Sequence, residues 1–228
     1  MSFKSLLPDS VSHYANALMS PEPAILQRLR ARTMLLPNGD MQISPDQGRL
    51  LAILVRIAAP KSAIEIGTFT GTSALVIASA LPPASRLTCL DLSAEWTSIG
   101  QSYWQEAGVA GRITLRLGPA LDSLAALAQD RAAFDFAFVD ADKIAYDAYY
   151  EALLPLMPTG GLLIFDNMLR HGAVAEPDPK VDEASRRVPT EQAGTAAIRA
   201  LSQKIRDDPR VDSAFLTVGD GFHIARKK

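Results

Sequence analysis

Ser62-Ala63-Ile64-Glu65-Ile66-Gly67-Thr68-Phe69-Thr70-Gly71-Thr72-Ser73 joins a short apolar run, a turn with two glycines and the start of a helix. The run over 62–66 reads as a strand, and 72–81 as the helix that follows it. A glycine-containing turn of this kind lets backbone approach a ligand, while the helix N-terminus favours polar or anionic groups. The alternation continues down the chain. Strand-like runs near 86–91, 112–117, 134–139 and 161–166 are separated by helical stretches near 94–107, 119–129 and 143–156. That rhythm predicts a parallel sheet with right-handed crossovers. Apolar runs at 211–218 and 222–225 flank Gly219-Asp220-Gly221, a hairpin signal. The expected fold is α/β: a mostly parallel seven-stranded sheet with a C-terminal antiparallel hairpin and helices on both faces.

Two of these runs end in acids. Phe134-Asp135-Phe136-Ala137-Phe138-Val139 stops at Asp140, and Leu162-Leu163-Ile164-Phe165 stops at Asp166-Asn167. If the strands are neighbours, two carboxylates and an amide oxygen meet at the carboxyl edge of the sheet, where ligands bind. Three hard oxygen donors suit Mg²⁺, Mn²⁺ or Ca²⁺. The turn 67–71 is not a P-loop, since no lysine follows Gly71, and Thr68-Phe69 stands where a dinucleotide fingerprint needs its second glycine. A pyrophosphate is crowded there; a nucleoside without phosphates is accommodated. Asp91, closing the second strand, is placed to accept hydrogen bonds from ribose hydroxyls or to cap the next helix. The co-occurrence with the glycine turn favours ribose. Glu65, an acid inside a buried strand, needs a ligand or backbone amides as partner.

At 228 residues, 48% hydrophobic and 21% charged, the chain fits one soluble α/β domain. A net charge of −2 without a basic stripe gives no footprint for nucleic acid. The single cysteine, Cys89, lies in an apolar run and reads as a buried, inert thiol. No apolar stretch reaches the ~18 residues of a membrane helix, and residues 1–20 lack a signal-peptide pattern, so the expected location is cytoplasmic. Residues 1–36 read as helical with a break at Ser20-Pro21-Glu22-Pro23, and Arg28, Arg30 and Arg32 as a solvated face. Ser44-Pro45-Asp46-Gln47 forms a capping box that starts a helix to about residue 57. Residues 172–194, with Pro177, Pro179 and Pro189, read as a long loop.

The succession Met41-x-Ile43-Ser44-Pro45-x-Gln47-Gly48, then Glu65-Ile66-Gly67-x-x-x-Gly71-x-Ser73, resembles the metal-dependent O-methyltransferases that include the caffeoyl-CoA and catechol enzymes. Asp91, Gly118-Pro119-Ala120, Val139-Asp140-Ala141-Asp142-Lys143, Asp166-Asn167 and Val218-Gly219-Asp220-Gly221 fall in that family's order, from about residue 35 onward. The resemblance implies a Rossmann-like class I methyltransferase using S-adenosylmethionine and a divalent cation, usually Mg²⁺ (or Mn²⁺ or Ca²⁺), held by Asp140, Asp166 and Asn167. It implies that Met41, Glu65, Gly67, Ser73, Asp91, Ala120, Asp140, Asp142 and Tyr149 serve the cofactor, Met41 and Tyr149 near its methionine or the substrate. The acceptor is then a small aromatic vicinal diol. Asp140 and Lys143 carry the catalytic step, Lys143 taking the hydroxyl proton. Similar enzymes are homodimers; residues 1–40 would be a lid or dimer contact and 41–228 a single methyltransferase domain.

Where many relatives read Thr-Leu-Trp after the Asp-Asn pair, this chain has Met168-Leu169-Arg170. Arg170 either meets an acidic substrate tail or points to solvent, and His171 reads as a loop histidine without a ligand role. The alternatives to methyl transfer are an NAD-type oxidoreductase on a similar sheet and a non-catalytic nucleoside-binding protein. The absent Gly-x-Gly counts against the first, and the oxygen-donor set against the second.

Overall fold

The short apolar runs become β1 (Ser62–Ile66), β2 (Arg86–Asp91), β3 (Ile113–Leu117), β4 (Phe136–Val139), β5 (Leu162–Phe165), β6 (Val211–Leu216) and β7 (Phe222–Lys227). These form one sheet, in the order β3-β2-β1-β4-β5-β7-β6, in a computed structural model that describes residues 8–175 and 189–228. β1 to β5 run parallel, and β7 pairs antiparallel with both β5 and β6. The strand order reverses between β1 and β4, the switch point at which open α/β sheets hold ligands.

Side-chain alternation along each central strand divides the core into two layers. Ile64, Ile66, Ala137, Val139, Leu163 and Phe165 pack on α6 (Ala120–Gln129), α7 (Tyr146–Leu153) and α8 (Pro189–Asp207). Ala63, Phe136, Phe138 and Ile164 face the opposite layer, with α2 (Ala24–Thr33), α3 (Pro45–Ala58), α4 (Thr72–Ala80) and α5 (Ala94–Glu106). Among the described N-terminal residues, α1 (Asp9–Ala17) precedes α2, which enters the core through Leu26 and Leu29.

Several expectations are corrected. Residues 189–194, read as loop, open α8, while residues 176–188 of the expected loop, with Pro177 and Pro179, lie outside the described residues. A proline is tolerated in a first helical turn, where its missing N–H has no partner to lose. Arg30 is not on a solvated face: it is 7% exposed. It pairs with Glu22 at 3.0 Å and donates to the carbonyls of Ile43 and Ser44. The run 134–139 forms a strand only from Phe136, because the Asp135 carboxylate accepts from the amides of Lys61 and Ser62 at 2.8 and 3.2 Å. Cys89 is buried, as expected, and burial raises its thiol pKa well above the usual range.

Two glycines fix how closely α5 approaches the turn. A Cβ on Gly71 would stand 2.5 Å from Trp104 Cζ2, and one on Gly100 2.6 Å from the Thr70 carbonyl oxygen. The indole also donates to the Gly71 carbonyl at 3.1 Å. Gly71→Ala therefore meets both a clash and a left-handed φ of +81°, a cost of about 3 kcal/mol. Gly108→Ala, at φ +70° with open space around it, meets the conformational cost alone, about 1 kcal/mol. Thermal unfolding should place Gly71→Ala about 6–12 °C below the parent and Gly108→Ala clearly higher. Equal losses would mean that the indole contact does not constrain the turn.

Candidate active site

The carboxyl ends of β1, β2, β4 and β5 open into one cleft of about 870 Å³. Met41, Gly67, Ser73, Asp91, Ala120, Asp140, Asp142, Lys143, Tyr149, Asp166, Asn167 and Arg170 all line it. Of the residues expected to serve cofactor, metal or catalysis, Glu65 alone is not on the cleft wall. It lies fully buried in β1, just before the lining pair Ile66 and Gly67.

Gly67 leaves β1 at φ +86°, and a Cβ there would sit 2.0 Å from the Asp140 carbonyl oxygen. Only glycine lets the ends of β1 and β4 lie this close. The turn beyond it is clasped by Asp91, whose Oδ2 accepts from the amides of Thr68 and Phe69, each at 2.8 Å. Its Oδ1 accepts from the Ser93 amide at 2.7 Å. Capping α5 falls to Ser93, whose hydroxyl accepts from the Trp96 amide at 3.1 Å. Phe69 meets Trp96 edge to face, centroids 5.0 Å apart, on the same side of the cleft.

Both Glu65 carboxylate oxygens and the Thr68 hydroxyl are buried without a hydrogen-bond partner. Burial pushes the Glu65 carboxyl up to about 7, although Ser73, Thr68 and Cys89 are near enough to draw it part of the way down. Orphaned polar atoms under a turn shaped by glycine fit a polar, nucleoside-type ligand.

At the other end of the cleft, the register Val139↔Phe165 sets Asp140 beside Asp166. Burial first, and then Asp140, push the Asp166 carboxyl well above the usual carboxylate range. Three groups oppose that shift. Lys143 acts through its charge, Gln47 Nε2 donates to Asp166 Oδ1 at 2.6 Å, and the Asn167 amide donates to the same oxygen at 2.5 Å. Lys143 Nζ reaches Asp140 Oδ1 at 2.7 Å and the Tyr146 hydroxyl at 2.8 Å. Tyr146 is buried, its hydroxyl 3.2 Å from the carbonyls of Val139 and Asp166. Asp142 accepts from the Ile144 amide and caps the short turn that carries Lys143.

Asn167, Arg170 and His171 are non-glycine residues at φ 56°, 48° and 54°. The β6–β7 turn holds this left-handed loop in place. The amides of Met168, Leu169 and His171 donate to Gly221 O (3.2 Å), Asp220 O (2.8 Å) and Asp220 Oδ1 (2.6 Å). A Cβ on Gly219 would fall 2.3 Å from Gln47, and one on Gly221 2.6 Å from Leu169. His171, half-exposed, keeps Nδ1 3.5 Å from Asp220 Oδ1. Gln47 and Asp220 are thus site residues that the sequence reading placed in a helix cap and in a hairpin.

Two oxygen acids and an amide side by side are the donor chemistry of a hard divalent cation. Among the described residues no group of three or more His, Cys, Asp or Glu side chains is placed to hold a metal ion; the third oxygen beside Asp140 and Asp166 is offered by Asn167.

A family model described as O-methyltransferase matches residues 15–228. Tricin synthase 1 of Oryza sativa subsp. japonica is 39% identical over 213 residues, 90% of this chain and 82% of that protein. Caffeoyl-CoA O-methyltransferase of Stellaria longipes is 35% identical over 205 residues, 89% of this chain and 83% of that protein. The O-methyltransferase TomG from Streptomyces achromogenes, involved in tomaymycin synthesis and solved in complex with SAM, matches with a TM-score of 0.81 and 32% identity over 96% of each chain.

The raised Glu65 pKa fixes a pH dependence. Between the ordinary carboxylate value and about 7, the folded protein binds a proton that the unfolded chain does not. Its stability therefore falls as pH rises through that window and stays lower above it. For ligand-free protein, Glu65→Gln should gain stability relative to the parent by about 3 kcal/mol more at pH 8 than at pH 4.5. Urea unfolding at the two pH values checks this; a pH-independent difference would contradict the assignment.

Proposed function

The chain belongs to the O-methyltransferase family, and from that membership we propose that it transfers a methyl group from S-adenosylmethionine to one hydroxyl of a small aromatic vicinal diol, with a divalent cation. Methyl transfer and the S-adenosylmethionine donor follow from the family, its caffeoyl-CoA-type relatives and the SAM-bound TomG structure. Membership sets aside the oxidoreductase and pure-binder readings. The cation and the diol are our own extension, supported above all by the juxtaposition of Asp140, Asp166 and Asn167 on one cleft wall.

In this reading the nucleoside lies along the β1–β2 end of the cleft. Gly67, Ser73, Asp91, Ala120 and Asp142 line it, with Glu65 behind Ser73 and Thr68; Asp91 Oδ1, which holds one amide, keeps acceptor capacity, while Oδ2 already holds two. Met41 and Tyr149 stand nearer the methionine and the acceptor. Asp140, Asp166 and Asn167 hold the cation. When bound, the cofactor supplies an electrophilic methyl group and the cation a Lewis acid that favours a phenolate over the phenol, whose free pKa is near 10.

The chain's own groups do the rest. Lys143, held against Asp140 and Tyr146, is the side chain placed to receive the hydroxyl proton. Gln47 orients Asp166, and the left-handed turn at Asn167 aims the amide into the cleft. Walls that hold the acceptor in line with the methyl group lower the barrier mainly through proximity.

Exposed Val11 and Tyr14 on α1 and Leu18 just after it, with Ile53 and Ile57 on α3, support a homodimer or lid role for the N-terminal helices and a methyltransferase domain from about residue 41. A single buried thiol fits a reducing compartment, and we place the enzyme in the cytoplasm. No described helix is long and apolar enough to cross a membrane.

Methyl transfer to a panel of catechols, measured with Mg²⁺ and after chelation, tests the function; turnover that survives chelation removes the metal from it. Asp166→Ala and Asn167→Ala should each lose on the order of 100-fold or more in kcat/KM, while S-adenosylhomocysteine still binds by calorimetry. Full activity in both variants would remove these residues from the metal set. Sedimentation at micromolar concentration should give a dimer, and a monomer would reassign the exposed α1 face.

A further inference from the structure

Arg170 is a cleft-lining cation that nothing in the proposed chemistry uses. Among the described residues its side chain makes no ion pair, and its buried Nε has no hydrogen-bond partner. The other basic side chains on this wall have partners: Lys143 with Asp140, and His171 with Asp220. A buried charged donor left unmatched is unfavourable unless a ligand supplies the partner. Its setting nevertheless limits where the side chain can reach. Its backbone is fixed at φ 48° in the loop tied down by the β6–β7 turn. Nη2 lies 3.9 Å from where a Cβ would stand on Gly194 of α8, so the glycine leaves the guanidinium room. A half-desolvated guanidinium with an unpaired Nε offers the fork that binds an oxyanion through two parallel N–H bonds.

We propose that Arg170 recognises an oxyanion carried by the acceptor, which makes the substrate class a small aromatic vicinal diol bearing a carboxylate. The spacing argues for a short acid. The Arg170 amide donates to the Asn167 carbonyl at 3.3 Å, so the two residues share one tight turn. The guanidinium is then within one turn and one arginine length of the amide that helps hold the diol. A carboxylate on the ring, or on a short spacer from it, falls in reach, whereas the phosphates of a long thioester tail do not. This rests on the diol-methylating function proposed above.

The test compares 3,4-dihydroxybenzoate with the nearly isosteric 3,4-dihydroxybenzamide, using the full chain with Mg²⁺ and S-adenosylhomocysteine for calorimetric binding, and S-adenosylmethionine for kcat/KM. The parent should prefer the acid by about tenfold or more, and Arg170→Gln should cut that acid-over-amide ratio by about 10- to 100-fold. Arg170→Lys, which restores a charge without the fork, should recover part of it. Arg170→Asn, a residue at home in left-handed backbone, guards against a folding defect in the glutamine variant. A parent that binds both compounds alike, or variants that leave the ratio unchanged, would overturn the assignment of Arg170 while leaving diol methylation standing. A parent that methylates caffeoyl-CoA but neither small compound overturns the short-acid class. If S-adenosylhomocysteine binds but no diol is bound or methylated, the diol function fails, and this inference with it.

Discussion

Two carboxylates placed side by side, one of them fully buried, are the constraint around which this molecule is arranged. The pairing of β4 with β5 puts Asp140 and Asp166 at adjacent strand ends, and like charges in a low-dielectric setting repel strongly. The surrounding residues answer that repulsion. Lys143 lies against Asp140, Gln47 and the Asn167 amide donate to Asp166, and Tyr146 anchors Lys143 from below. A site that is uncomfortable without an added positive charge is well suited to attract one.

The N-terminal segment is tied into this arrangement rather than merely laid over it. Arg30 and Glu22 form a buried pair, and Arg30 donates to the carbonyls of Ile43 and Ser44. Ser44 and Gln47 cap α3 reciprocally, and Gln47 then passes on to Asp166. One side chain thus closes a helix end and orients an acid 119 residues away. A break at Arg30 would be felt at the metal-type donors through that chain, with no direct contact.

Local patterns carried most of the architecture. Acid-ended apolar runs, the glycine turn and the Asp-Gly hairpin each depend on neighbours in sequence, and each sits in the fold where its local chemistry requires. What escaped reading depends on distant partners. Arg30 looks like one of three alternating surface arginines until Glu22 and the 43–44 carbonyls surround it. Gln47 satisfies a capping box completely, so nothing in its neighbourhood signals a second bond. Asp220 resembles any turn residue until the amide of His171 meets it. Helix α8 was hidden because its amphipathic stretch begins at a proline that also ends a charged, proline-rich segment.

The clasp of the Asn167 loop by Asp220 and Gly221 also bears on how the protein is made. The chain leaves the ribosome from its N-terminus, so the cofactor turn and both acid-bearing strands emerge well before the hairpin that fixes the Asn167 loop. Until residue 221 is free of the exit tunnel, Asn167, Arg170 and His171 lack the partners that hold them in left-handed backbone. Nascent chains can therefore acquire a cofactor-end fold early, whereas competence for chemistry arrives only with the last strand pair.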